Sequence, residues 1–91
     1  MIKLTRVQEE IAVALARLAK TTTKKWQPLP AIRDQRMAGK VDPKGIYLRT
    51  TENALLQLKE LVPQLVKNNA VGWCLTSAGA AMVEVQLGVK P

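Results

Sequence analysis

Apolar residues recur at helical spacing over residues 6–20. They share one face of the predicted helix: Val7, Ile11, Ala14, Leu15 and Leu18. Charged side chains occupy the opposite face, as in an amphipathic helix that packs on a core. Thr5 and Gln8 have the spacing of a capping box. The three threonines at residues 21–23 favour an end to this helix, because threonine has a low helix propensity.

A second, shorter helix is predicted over residues 31–38. Pro30 suits the first helical position and Gly39 suits the C-terminal cap. Residues 24–30 are expected to form a short strand or loop, because residues before proline avoid the α region. Trp26 is expected at the edge of the core, since a chain with three aromatic residues needs them inside. Stacking on a nucleic acid is the alternative for this ring.

Residues 40–49 admit two interpretations. In the first, residues 42–45, Asp-Pro-Lys-Gly, form a turn, and residues 46–48 form a brief strand or an extended connector. In the second, Asp42 is the N-cap and Pro43 the first residue of one long helix. The glycine within the segment and a second cap signal at Thr50 favour the first interpretation.

A third helix is predicted over residues 51–62, with Pro63 as its end. Its buried stripe is expected to consist of Ala54, Leu55, Leu58, Leu61 and Val62. At about 100° per residue, the outward positions are Arg49, Asn53, Leu56 and Glu60, flanked by Thr50 and Gln57 on one side and by Glu52 and Lys59 on the other.

Two short apolar runs follow, at residues 65–66 and 71–75. Asn68 and Asn69 lie between them and favour a tight hairpin turn, because asparagine tolerates positive φ. Cys74 alternates with its neighbours in the second run and is expected to be a small buried hydrophobe.

A last helix is predicted over residues 77–87, with Thr76 as its N-cap. Its expected apolar face comprises Ala78, Ala81, Met82 and Val85. Gly79 in the first turn is expected to allow close approach to the first helix.

The order of strand, tight turn, strand and helix resembles the end of a winged-helix DNA-binding domain. The resemblance is carried by Gly72-Trp73-Cys74-Leu75-Thr76-Ser77-Ala78-Gly79. In the MarR-like and PadR-like regulators, to which this piece is similar, the second strand of the wing runs into Leu-Thr-x-x-Gly at a helix start. The resemblance covers mainly residues 50–87. It implies a mostly α fold with a small β-hairpin, in the order helix, helix, helix, hairpin, helix, as one domain over residues 1–91.

In that family the third helix enters the major groove. The resemblance therefore implies that double-stranded DNA is the partner and that the outward edge of this helix reads bases. Asparagine and glutamine can pair with adenine, and leucine can contact a thymine methyl. The expected base-reading residues are Thr50, Asn53, Leu56 and Gln57. Glu52 and Glu60 oppose this role, because carboxylates repel phosphates.

The net charge of +7 is confined to one third of the chain. Residues 17–49 contain nine basic and two acidic residues, and the segments on either side are each neutral. Such a block favours a polyanion, first of all nucleic acid; a solubilising surface is the alternative. Phosphate contacts are expected from Lys24, Lys25, Arg33, Arg36, Lys40, Lys44, Arg49, Lys59 and Lys67, the last of these on a very short wing.

Catalytic and metal chemistry is not expected. Histidine is absent and Cys74 is the only cysteine, which removes the commonest general base and excludes a thiolate metal cluster within one chain. No catalytic residue, metal or cofactor is therefore predicted, and the chain is not expected to be an enzyme. No apolar run approaches the ~18 residues that a bilayer requires, and the N-terminus lacks the signal-peptide pattern. The expected location is the cytoplasm, at the nucleoid if the protein binds DNA.

Two other functions stay open. A winged-helix adaptor would bind protein through Leu56 and the apolar last helix, its charge being incidental. An RNA or single-strand binder would stack bases on Trp26, Tyr47 and Trp73. A homodimer through the first and last helices is the expected oligomer, and burial of the last helix within one chain is the alternative.

Overall fold

The computed structural model describes residues 3–89, which form four helices and one antiparallel hairpin. In chain order these elements are α1 (Arg6–Thr21), α2 (Leu29–Met37), α3 (Ile46–Glu60), β1 (Val66–Asn68), β2 (Trp73–Leu75) and α4 (Ser77–Leu87). The predicted class, mostly helical with a small β-hairpin, is confirmed, as is the order of the elements.

The predicted α1 and its capping box are present. The Gln8 amide donates to Thr5 Oγ1 (3.2 Å), and the Thr5 amide donates to Gln8 Oε1 (3.0 Å). The buried face of α1 contacts every other helix and also β2. The helix ends at Thr21 and is capped by Thr22, whose amide and hydroxyl each donate to the Leu18 carbonyl at 3.0 Å. α1 is therefore the element around which the rest of the core packs.

α2 begins at Leu29, two residues before the predicted start. Pro28 precedes it in extended backbone, and Pro30 falls inside the first turn, where a missing amide proton costs nothing. Ala38 ends the helix with a left-handed backbone (φ 53°), followed by Gly39 (φ 89°). Gly39 therefore follows the C-terminal end of α2, as predicted. Ala38, which was predicted to be the last helical residue, is the C-cap and lies just outside the helix.

α3 begins at Ile46, directly after the turn at residues 42–45. The Asp42 carboxylate reaches across the turn and accepts the amides of Tyr47 and Leu48, each at 3.1 Å. These amides would otherwise lack partners in the first helical turn. The turn was predicted correctly, but the strand or connector expected at residues 46–48 is wrong, because this remote cap allows the helix to start there. The alternative interpretation gave the capping residue correctly, although the helix begins at Ile46 and not at Pro43.

The shifted start also changes the roles of residues at both ends of α3. Thr51 is buried in the second turn, where its hydroxyl donates to the Tyr47 carbonyl (2.6 Å) and caps nothing. The helix ends at Glu60, since residues before Pro63 avoid the α region. The expected burial of Val62 is wrong, because that side chain lies beyond the helix and is 97% exposed.

The hairpin pairs Val66 with Leu75, Lys67 with Cys74 and Asn68 with Trp73. Its connection is the four-residue loop 69–72, in which Asn69 Oδ1 accepts the amides of Val71 (2.8 Å) and Gly72 (3.0 Å). The expected turn through asparagine at positive φ is wrong, since Ala38 is the only non-glycine residue with positive φ in the described chain. The asparagine side chain closes the loop instead.

Gln27 adds a one-residue strand on the other side of β2. Its amide and its carbonyl each pair with Trp73 at 2.8 Å. Gly72 makes this approach feasible, because a Cβ at that position would collide with the Gln27 carbonyl. The segment after α1, predicted as a strand or loop, is thereby attached to the hairpin.

α4 spans the predicted residues, and Thr76 Oγ1 accepts the Gly79 amide at 3.0 Å. The predicted apolar face is correct in part: Met82 is buried and Ala78 packs against the core, as expected, whereas Ala81 is exposed, Val85 is 82% exposed and Val83 is buried instead. α4 is apolar almost all round, so periodicity does not single out one face. Gly79 packs against the backbone of Leu65, and the expected approach to α1 is therefore also wrong.

The core lies between the four helices and the inner face of the hairpin. Its fully buried side chains include Ile11, Leu15, Ile32, Leu55, Leu58, Leu65, Val66 and Val83. Cys74 is buried, as expected. None of the helices in the described part of the chain combines the length and apolar character that a membrane crossing requires.

Candidate nucleic-acid interface

The outward edge of α3 is exposed as the helical spacing predicts. Arg49, Asn53 and Glu60 are exposed, and Leu56 keeps 44% of its accessible surface. Within residues 3–89, the side chains of Arg49 and Asn53 make no hydrogen bond or ion pair. This edge therefore presents a guanidinium, an amide and an apolar side chain that are free to contact a ligand.

The two other predicted base-reading residues are engaged within the protein. Thr50 Oγ1 accepts from Arg36 Nη1 (2.8 Å) and donates to the Tyr47 carbonyl (3.1 Å). Gln57 Oε1 accepts from Gln8 Nε2 of α1 (2.9 Å). Both side chains belong to the flank of α3 that faces other helices, and contact with a base would require these bonds to be exchanged.

Arg36 is the centre of a polar cluster that joins α1, α2 and α3. Its Nε donates to Glu10 Oε2 (3.1 Å), its Nη1 donates to both Thr50 and Thr51, and its guanidinium lies 5.2 Å from the Tyr47 ring centroid. Only 8% of the Arg36 side chain is exposed. The expected projection of Arg36 from α2 into solvent is therefore not observed. We call these five residues the Arg36 cluster.

Arg33 is also held by carboxylates. Its Nε lies 3.0 Å from Asp34 Oδ1 and its Nη1 lies 3.7 Å from Asp42 Oδ2. Asp42 is the residue that caps α3, so Arg33 links α2 to the start of that helix. Sequence reasoning missed the contact between Arg36 and Glu10 and the contact between Arg33 and Asp42. Neither carboxylate lies at a fixed helical spacing from its arginine.

The remaining predicted phosphate ligands are distributed over several places. Lys44 and Arg49 line one groove with Leu29 at the start of α2 and with Glu52 of α3. Lys40 lines another groove with Arg36 and Tyr47. The others lie apart from these: Lys24 and Lys25 follow α1, Lys59 is on α3 and Lys67 is on β1. Among residues 3–89, no carboxylate lies within 4.0 Å of any of these seven cations.

The Trp26 ring lies close to two lysines, one of them on β1. The distance from its ring centroid to Lys25 Nζ is 5.5 Å, and the distance to Lys67 Nζ is 5.8 Å. Trp26 is half-buried, while Trp73 is buried. A base could therefore contact only the exposed part of the Trp26 ring, and it could not reach Trp73 in this conformation.

Neither a metal site in the described residues nor a known relative indicates the function of this surface. Residues 3–89 contain no group of three or more side chains placed to hold a metal ion. No protein-family model, no curated protein and no solved structure matches the chain.

Proposed function

We infer that the chain is a winged-helix domain that binds double-stranded DNA through α3. Three features support the winged-helix assignment: three helices precede the hairpin, Gln27 supplies a short third strand beside β2, and α4 follows the hairpin directly. The hairpin, with Lys67 on β1 and the loop 69–72 at its tip, would be the wing. This arrangement is the one implied by the sequence resemblance.

The observation that carries the proposal is the free outward edge of α3. It combines Arg49, Asn53 and Leu56, and Arg49 shares a groove with Lys44 and Glu52, although neither cation lies within 4.0 Å of a carboxylate of the described residues. An arginine beside an asparagine suits a duplex, because one can contact phosphate while the other pairs with adenine. Glu60 on the same edge would have to face a base amine or solvent.

The geometry favours a narrower base-reading set than the sequence predicted. Asn53 and Leu56 are free, whereas Thr50 and Gln57 already have partners in α1 and α2. Likewise, Lys24, Lys25, Lys40, Lys44, Arg49, Lys59 and Lys67 are better placed for phosphates than Arg33 and Arg36, since the latter are paired with carboxylates.

Binding to a random-sequence duplex at several salt concentrations tests the proposal. We expect affinity to fall as salt rises, with log K changing by about 0.9 per tenfold salt for each phosphate neutralised. Lys44→Gln and Arg49→Gln should each make this slope shallower by about that amount. Lys3→Gln, outside the basic block, serves as the control. Absence of binding at low salt would refute the DNA proposal and favour the adaptor.

A second test separates base reading from phosphate contact. In a selection from randomised duplexes, Asn53→Ala or Leu56→Ala should relax preference at one or two positions, by about tenfold each. Lys44→Gln should instead weaken binding to all sequences alike. Gln57→Ala should resemble Gln8→Ala, because it removes the same interhelical bond. Identical behaviour of Asn53→Ala and Lys44→Gln would show that α3 is not the reading helix.

The adaptor is the second candidate, favoured by apolar side chains on the same side of α3. Ile46 is 58% exposed, and Leu56 lies further along the outward edge. The proposed homodimer through α1 and α4 is supported on the α4 side alone, where Ala81 and Val85 are exposed. The outer face of α1 carries charged residues, including Arg6 and Arg17. The dimer and the cytoplasmic or nucleoid location stay predictions.

A further inference from the structure

A cavity of about 300 Å³ lies between α1, β2, α4 and the segment that follows α1. Its apolar lining comes from Leu15 and Ala19 of α1, Leu75 of β2 and Ala80 of α4. The volume is at the lower end of the roughly 300–1,000 Å³ that is usual for small-molecule sites. A small organic molecule fits this space better than a peptide or a dinucleotide.

The rim of the cavity is basic. Lys24 and Lys25 line it together with the hydroxyl-bearing Thr22 and Thr23, and no aspartate or glutamate of residues 3–89 is among the lining residues. Neither ammonium group has a carboxylate within 4.0 Å in the described chain, although Lys25 Nζ lies over the Trp26 ring, 5.5 Å from its centroid. The rim therefore attracts an anion and repels a cation.

The wall that carries these lysines is held in place. Buried Gln27 donates from Nε2 to Thr22 Oγ1 (3.1 Å) and to the Lys24 carbonyl (2.7 Å). The backbone of the same residue is paired on both sides with Trp73. A wall that is already ordered loses little conformational entropy when a ligand binds, which favours affinity.

We propose that this cavity binds a small amphipathic anion. The apolar part of the ligand lies between α1 and α4, and its carboxylate or sulfonate lies at the rim beside Lys24 and Lys25. The site lies away from the outward edge of α3, and it shares only Lys24 and Lys25 with the proposed phosphate contacts. The proposal therefore stands whether or not α3 binds DNA.

Titration of the ¹⁵N-labelled chain with 1-naphthoate, followed by amide NMR, tests the site. We expect saturable shifts centred on Ala19, Lys24 and Ala80, with a Kd on the order of 1 mM or tighter. Ala80→Leu fills the cavity and should weaken binding by about tenfold or more. Ala81→Leu, the same change at the exposed neighbouring position, should leave the Kd unchanged.

Two further measurements test fit and charge separately. Ala19→Leu fills the cavity from α1 and should also weaken binding, which keeps the test valid if Ala80→Leu does not fold. Neutralising both Lys24 and Lys25 to glutamine should lower naphthoate affinity about tenfold and leave the neutral analogue 1-naphthalenemethanol unaffected. Shifts scattered over the surface, or equal Kd values for Ala80→Leu and Ala81→Leu, would overturn the site. Equal affinity for the acid and the alcohol would overturn its preference for an anion.

Discussion

Replacing Gly79 with alanine should destabilise the domain by about 2–4 kcal/mol, a large part of the roughly 5–15 kcal/mol of a typical domain. A Cβ at this position would collide with the Leu65 carbonyl oxygen. That carbonyl cannot easily move, because it accepts the Thr76 amide at 3.0 Å while the Leu65 amide donates to Leu58. Relief of the collision must shift α4 away from the start of β1 and weaken these bonds.

Whether Gly79→Ala destabilises or stabilises the domain distinguishes two explanations for the presence of glycine at this position. If only helix propensity mattered, Gly79→Ala would stabilise α4 by up to about 1 kcal/mol. Urea unfolding followed by far-UV circular dichroism gives the difference directly. Ala81→Gly, at an exposed position of the same helix, is the control and should cost about 1 kcal/mol. A neutral or stabilising Gly79→Ala would show that α4 does not pack this closely on the Leu65 backbone.

Features set by neighbours in sequence were predictable. The capping box of Thr5 and Gln8 and the cap formed by Thr76 depend on residues three positions apart, and both are present. The start of α3 depends instead on a carboxylate that reaches across a turn. Local propensity disfavours a helix directly after Gly45, yet the cap from Asp42 allows one. Such a contact follows from the path of the chain, which periodicity does not contain.

The same distinction between local and long-range features applies to the candidate site. Helical spacing correctly gave the exposure of Asn53 and Leu56, because those positions point directly away from the buried stripe. It gave no information about Thr50 and Gln57, whose flank of α3 meets side chains of α1 and α2. The charge count likewise located a basic block, but it could not distinguish an arginine with partners, such as Arg36, from a free lysine.

Replacing Arg36 with methionine should destabilise the domain by about 2 kcal/mol and lower its melting temperature by roughly 8–16 °C. Methionine retains much of the apolar contact but removes the donors to Glu10, Thr50 and Thr51. The cost falls short of that of breaking a fully buried pair, because Glu10 is 42% exposed and can regain water. Thermal unfolding measures the loss, and Lys40→Met, at an exposed position just after α2, should change stability by less than about 0.5 kcal/mol.

The lysine variant decides whether Arg36 acts in folding or on DNA. Arg36→Lys keeps the positive charge, so a residue that only contacts phosphate would lose little affinity and no stability. A single ammonium cannot reproduce the planar guanidinium that spans Glu10 and the threonines while lying over Tyr47. We therefore expect Arg36→Lys to lose most of the stability that Arg36→Met loses, with DNA affinity per folded molecule nearly unchanged. The opposite result would be that Arg36→Lys is stable and that Arg36→Met is stable but binds DNA weakly. Arg36 would then be a phosphate contact, as first predicted.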